Sequence, residues 1–146
     1  MENIKINTFF VETIKKIAKK YPGRLLDILN CFSENQHKNK MWLIEKLNDY
    51  SSNELKNRFV DLAILGSWYG YLFYLIKEYS DFKFISNVRL YDLDKDTKKL
   101  GSLFFTKDYH SQLKFITKDI KDIDFSQEIF NIIINTSCEH MPNEII

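Results

Sequence analysis

The sequence predicts an α/β fold built on a parallel sheet of about four strands, preceded by a helical segment. Three observations carry that expectation. Up to about residue 54 the apolar residues recur at helical spacing. Beyond it, short β-branched runs alternate with helical stretches, the pattern of a parallel sheet with right-handed crossovers. Several of those runs end in glycine or polar residues, where such a sheet presents its ligand-binding edge. With 146 residues the chain suits one compact domain, divided into a helical segment over 1–54 and an α/β core over 55–146.

The elements follow in order. Residues 8–20 set Phe10, Ile14, Ile17 and Ala18 on one helix face. Lys15, Lys16, Lys19 and Lys20 lie opposite or in the last turn, where cations suit the helix dipole. Tyr21-Pro22-Gly23 stops this helix, and 24–31 form a short apolar piece on Leu25, Leu26, Ile28 and Leu29. Ser33 with Gln36 reads as a capping box for a helix over 34–48, striped by Met41, Ile44 and Leu47. Trp42 on that helix reads as core rather than as a stacking platform. Ser51 with Glu54 reads as a second box, opening a brief turn before residue 58.

In the second half, residues 59–65 are a near-continuous apolar run ending at Gly66, as in a strand buried on both faces. A helix over 69–79 and a strand over 87–92 come next. A helix over 95–105 then turns Leu100, Leu103 and Phe104 inward. Residues 113–117 and 130–135 make the last two strands, the final one the most apolar.

Composition removes several function classes. There are 21 basic and 20 acidic side chains, so the net charge of +1 gives no global attraction to nucleic acid or anionic lipid. Cys31 and Cys138 form no paired motif, which argues against a disulfide framework and a structural zinc site. No run of about 18 apolar residues suggests a membrane span, and the N-terminus lacks a secretory pattern, so a reduced cytoplasmic setting is the expectation.

The strand ends carry the candidate chemistry. Gly66-Ser67-Trp68-Tyr69-Gly70 opens a helix with two glycines four apart. That spacing allows a tight turn and close backbone approach, although a plain strand-to-helix turn reads equally from it. Asp92 lies 22 positions after Gly70, the spacing at which a carboxylate accepts from a ribose diol. Asp94 or Asp96 suits capping of the next helix. Together, loop and acid suggest a nucleoside-containing ligand. Asp119 and Ile120 offer an acid for an adenine amine and an apolar side chain for its ring, or else a solvated loop. After the last strand come Asn135, Thr136, Ser137, Cys138, Glu139, His140 and Met141. Asn135, Glu139 and His140 are candidates to orient a substrate or move a proton, the alternative being a polar loop. Adjacent Cys138 and His140 assemble no nucleophile pair, and no metal-ligand spacing is present. Gln36, His37 and Lys40 read either as the mouth of a pocket or as a solvated helix face, and His110 as exposed.

These features resemble a known family. Ala63 to Gly70, Tyr91-Asp92-Leu93-Asp94 and Ile134 to Met141 are similar to class I S-adenosylmethionine-dependent methyltransferases. More narrowly they resemble a small methyltransferase-like family common in bacteriophages, whose N-terminal helix Gln36 to Ile44 also resembles, with Asn39 in place of serine. The resemblance implies a Rossmann-like core with S-adenosylmethionine as cofactor. Gly66, Ser67, Trp68, Tyr69 and Gly70 would cradle its methionine part, Asp92 its ribose, and Asp119 and Ile120 its adenine. Asn135, Glu139 and His140 would border the transferring methyl.

The methyl acceptor is not legible, and no polynucleotide or membrane partner is expected. An enzyme that cleaves the same cofactor (a lyase or hydrolase) and a non-catalytic interaction module keeping the fold are the alternatives. The family's full sheet has seven strands and Ile146 follows the fourth closely. A truncated gene product is therefore one expectation. The other is that the helical N-terminal half and a partner subunit, as in a homo-oligomer, cover the fourth-strand edge.

Overall fold

The computed structural model describes residues 8–54, 58–82, 84–105, 109, 112–127 and 130–136. The elements are α1 (Thr8–Lys20), α2 (Leu25–Cys31), α3 (Glu34–Glu54), β1 (Phe59–Leu65), α4 (Tyr71–Tyr79), β2 (Phe84–Asp92), α5 (Lys95–Gly101), β3 (Leu113–Thr117) and β4 (Ile132–Asn135). The sheet runs β3-β2-β1-β4 with every pairing parallel. From β1 the chain therefore builds outward through β2 and β3, then returns to the other side of β1. Strand order switches between β1 and β4, and the crevice beyond their carboxyl ends is where such sheets bind ligands. The expected α/β architecture is the observed one.

Side-chain alternation sorts the two sheet faces. Val60, Leu62 and Ile64 of β1, Val88 and Leu90 of β2, Leu113 and Phe115 of β3 and Ile134 of β4 join one buried cluster. Ile17 of α1, Ile28 and Cys31 of α2, Ile44 of α3, Leu72, Phe73, Leu75 and Ile76 of α4 and Leu100 of α5 fill the same cluster. The N-terminal helices and the sheet thus share one core. Phe10, Phe32, Tyr71 and Phe104 knit that seam, with Phe32 4.7 Å from Phe10 and 4.8 Å from Tyr71 between ring centroids. Alternate residues Ala63, Leu65 and Tyr91 form a smaller cluster on the opposite face, with Ile116, Ile120, Ile123 and Phe130 against it. None of these second-face residues belongs to an α-helix.

Several local expectations are corrected. α3 continues to Glu54, because the Ser51 hydroxyl donates to the Asn48 carbonyl within the helix (3.2 Å) instead of capping a new turn. Only half of the Ser33 box forms: the Gln36 N–H donates to Ser33 Oγ at 3.3 Å, while the Gln36 side chain accepts from Lys40. Trp42 is 60% exposed, with the Lys46 ammonium over its ring, and is not core. α5 tightens into a 3-10 turn at Ser102–Phe104, which leaves Leu103 exposed while Phe104 stays buried. α4 starts at Tyr71 rather than 69, since Trp68 and Gly70 are left-handed. β2 begins at Phe84, ahead of the expected 87. β4 begins at Ile132, and its Ile133 is 48% exposed on the second face.

Gly70 shows why a glycine opens α4. Its φ is +87°, and a Cβ there would lie 2.9 Å from Phe105 and 3.1 Å from Phe115. Gly70→Ala is expected to cost about 2–4 kcal/mol, from left-handed strain plus overpacking. Gly23→Ala, where a Cβ meets nothing within 4 Å, is the control and should be close to neutral. Thermal unfolding checks both, with a fall of about 5–15 °C expected for the first.

Candidate functional site

The turn from β1 into α4 is the centre of the site. Three residues within five have positive φ: Gly66 at 72°, Trp68 at 54° and Gly70 at 87°. Glycine tolerates this region, but a bulky aromatic there is strained. The strain persists because neighbouring groups hold the backbone. Gly66 and Ser67 both donate their N–H to the Tyr91 carbonyl, at 2.9 and 3.0 Å. Trp68 donates its N–H to Asp92 Oδ2 (2.9 Å), and Asp94 donates its own to Asp92 Oδ1 (3.0 Å). The Asp92 carboxylate therefore joins the first loop to the second. Each oxygen accepts one such bond and keeps a lone pair for a further donor. Leu93 beside it is 71% exposed. The Ser67 hydroxyl is buried and has no hydrogen-bond partner among the described residues.

A second set of bonds clamps the loop from the N-terminal segment. Tyr69 is fully buried, donates its hydroxyl to Asp27 Oδ2, and accepts from Arg24 at 2.8 Å. The Trp68 indole N–H donates to the same Asp27 oxygen at 3.2 Å. Arg24 also pairs with Asp94, and lies 3.4 Å from Asp27 and 3.9 Å from Asp96. Burial, and then the Asp27 carboxylate, push the Tyr69 hydroxyl well above its ordinary pKa. Burial works against the Arg24 cation, but Asp94 and Tyr69 outweigh it and raise its pKa. Asp94, although partly desolvated, is held below the usual carboxylate range by the Asp96 N–H and by Arg24. Asp94 also caps α5 by accepting from the Asp96 N–H, at 2.9 Å.

The face of α2 and α3 beside the loop carries three further groups. Cys31 is buried and its thiol is pushed up to about 12, chiefly by burial. It is therefore inert as a nucleophile near neutrality. The Tyr69 backbone N–H lies against that thiol, and Lys40 is within its electrostatic reach. His37 Nδ1 lies 2.9 Å from the Tyr71 hydroxyl, and burial lowers the histidine pKa. Gln36, His37 and Lys40 are all half-buried, so this face of α3 is not simply solvated.

The other predicted residues are placed as follows. Asp119 accepts from the Lys121 N–H (3.0 Å) and so caps the turn Ile120–Asp122, while Ile120 packs beneath the second sheet face. Asn135 ends β4 opposite Leu65. Thr136 follows it, its N–H and hydroxyl both donating to the Leu65 carbonyl at 3.0 Å. The Asn135 end of β4 is thereby brought beside the glycine loop. Ser137, Cys138, Glu139, His140 and Met141, together with His110, lie outside the described residues. Sequence reasoning missed the Arg24–Asp27 clamp. A charged pair three apart beside a proline turn signals only helix-surface pairing, and nothing in it points 41 or 42 positions ahead.

No family model and no curated relative matches the chain. Solved structures do. A crystal structure of the plantazolicin methyltransferase BpumL with a pentazolic desmethylPZN analog and SAH superposes at a TM-score of 0.56 and 16% identity, covering 88% of this chain and 48% of that one. The same enzyme with a triazolic analog and SAH gives 0.55 and 17%, over 88% and 47%. The chain thus spans about half the length of the structures it matches, and the likeness is one of fold.

Asp27 is the acceptor on which the clamp converges. Asp27→Ala strips the Trp68 indole and Tyr69 hydroxyl of their carboxylate, and is expected to cost about 1–3 kcal/mol in denaturant unfolding. In a Trp42→Phe background, where Trp68 is the sole indole, its emission should shift to the red as the ring gains water.

Proposed function

We propose that this chain binds S-adenosylmethionine at the carboxyl edge of β1, β2 and β3 and works as a methyltransferase-like enzyme. One observation carries the reading: a left-handed loop, whose buried Ser67 hydroxyl has no partner among the described residues, adjoins Asp92, whose carboxylate still has accepting capacity. An orphaned polar group of this kind calls for a partner. The fold shared with a methyltransferase crystallised with SAH supports the choice of cofactor.

On this reading the residues divide the ligand between them. Gly66 to Gly70 offer close backbone approach and the Ser67 hydroxyl to its methionine part, while the Trp68 and Tyr69 side chains hold the loop's shape. Asp92 accepts from the ribose hydroxyls. Exposed Leu93 and half-buried Ile120 flank the adenine ring, with Asp119 toward its amine. Asn135, Glu139 and His140 border the methyl. The cofactor brings an already activated methyl group. The protein's contribution is then alignment of acceptor and methyl in line, and exclusion of water, rather than covalent chemistry. A host-cell cytoplasmic setting fits that chemistry.

Isothermal titration with S-adenosylmethionine, followed by chromatography of the incubated mixture, tests the proposal. Binding with the cofactor left intact is the expected result, and Asp92→Ala should weaken it at least about tenfold. Conversion without any acceptor would replace a transferase with a cofactor-cleaving enzyme. No binding at millimolar ligand would leave an interaction module that keeps the fold.

Among the described residues β4 pairs only with β1, and half-exposed Ile133 lies on its second face. We propose a second copy as its cover. Light scattering should then give a dimer that Ile133→Lys dissociates, and a monomeric parent would refute it.

A further inference from the structure

Arg24 and Lys40 both lie beside the glycine loop, but only Arg24 has its charge answered. Arg24 is surrounded by Asp27, Asp94 and Asp96. Lys40 is half-buried, and no carboxylate lies within 4.0 Å of its ammonium among the described residues. Its hydrogen-bond partner among the described residues is neutral, the Gln36 side-chain oxygen at 2.7 Å, one turn back on α3. That bond fixes the ammonium and leaves two of its three N–H donors for other acceptors. A cation drawn partly out of water without a counter-charge is costly, and proteins keep such groups where a ligand completes them.

Its position identifies the ligand group. Lys40 lies within electrostatic reach of Cys31, whose thiol rests against the Tyr69 backbone N–H in the middle of the loop. One turn earlier on α3, His37 meets the hydroxyl of Tyr71, the first residue of α4. His37 thus places this turn of α3, and Lys40 with it, beside the start of α4, a helix with no side-chain cap that follows a loop whose buried Ser67 hydroxyl has no partner among the described residues. A cation, an orphan hydroxyl and a helix N-terminus make a site for a small anion.

We propose that Lys40, held by Gln36, anchors the carboxylate of the ligand's amino-acid end. This rests on the cofactor reading above and adds to it a residue from the helical segment. It makes the site selective for a nucleoside thioether or sulfonium that carries an intact amino-acid carboxylate, against the same nucleoside without one.

Titration with S-adenosylhomocysteine and with its decarboxylated counterpart, S-adenosyl-3-thiopropylamine, separates the two claims. The native protein should bind the first at least about tenfold more tightly. Lys40→Met should collapse that preference to within about twofold by weakening only the carboxylate ligand, and Lys40→Arg should restore part of it. If Lys40→Met fails to fold, Lys40→Gln gives the same ratio. An unchanged preference in the neutral variant, or equal weakening of both ligands, would overturn the anchor while leaving the cofactor reading in place. Equal binding of both ligands by the native protein would do the same. Binding of neither would overturn both.

Discussion

Two carboxylates from distant parts of the chain hold the loop between β1 and α4 in a backbone shape it would not keep alone. Asp92 takes the Trp68 N–H from the β2 end, and Asp27 takes the Trp68 indole and the Tyr69 hydroxyl from α2. A non-glycine residue with left-handed φ costs about 1–3 kcal/mol. Hydrogen bonds to a charged acceptor return about 1.5–3 kcal/mol each, so the bonds to these two carboxylates offset that strain. The result is a preorganised turn, whose ordering cost is met on folding rather than on binding.

The helical segment is consequently part of what shapes this loop and not an appendage to the sheet. Its aromatic seam to α4 and the end of α5 fixes where α2 and α3 sit. That placement sets Arg24, Asp27, Cys31 and Lys40 against the loop. The same few residues supply one cation ringed by carboxylates and one with no carboxylate within 4.0 Å among the described residues. Arg24, with its planar fork, is spent on architecture, where several acceptors can be met at once. Lys40, a compact point charge steadied by one neutral partner, retains donor capacity.

The sheet is unequal on its two faces. One packs against all five helices, while the other is covered by strand and loop residues around Ile120, Ile123 and Phe130. Ala63 and Leu65 are nonetheless buried there, because small and medium side chains near the switch point need little cover. Ile133, on the outermost strand, keeps about half of its surface open. The order β3-β2-β1-β4 brings the last polar strand end, Asn135, next to Gly66 rather than next to Asp119.

Much of this is legible in the sequence. Hydrophobic period marks the strands and helices, glycines punctuate the turn between β1 and α4, and the alternation implies the parallel sheet, because those signals are local. Asp92 was legible as a candidate from its distance to the glycine loop, yet its hold on the Trp68 N–H was not. The long-range partners of Arg24, Asp27 and Lys40 were equally hidden. They depend on where α2 and α3 dock, and the docking is decided by the packing of Phe10, Phe32, Tyr71 and Phe104. Trp42 and Leu103 show the same limit from the other side. Each lies on a stretch with apolar periodicity, but a few tens of degrees of helix rotation, or one tightened turn, decides which side chain meets the core. The sequence by itself determined the elements, their order and the edge where chemistry collects, since these follow from spacing along one chain. Only the tertiary structure decided which charges are answered by a carboxylate and which are not, because that depends on distances between segments that spacing does not encode.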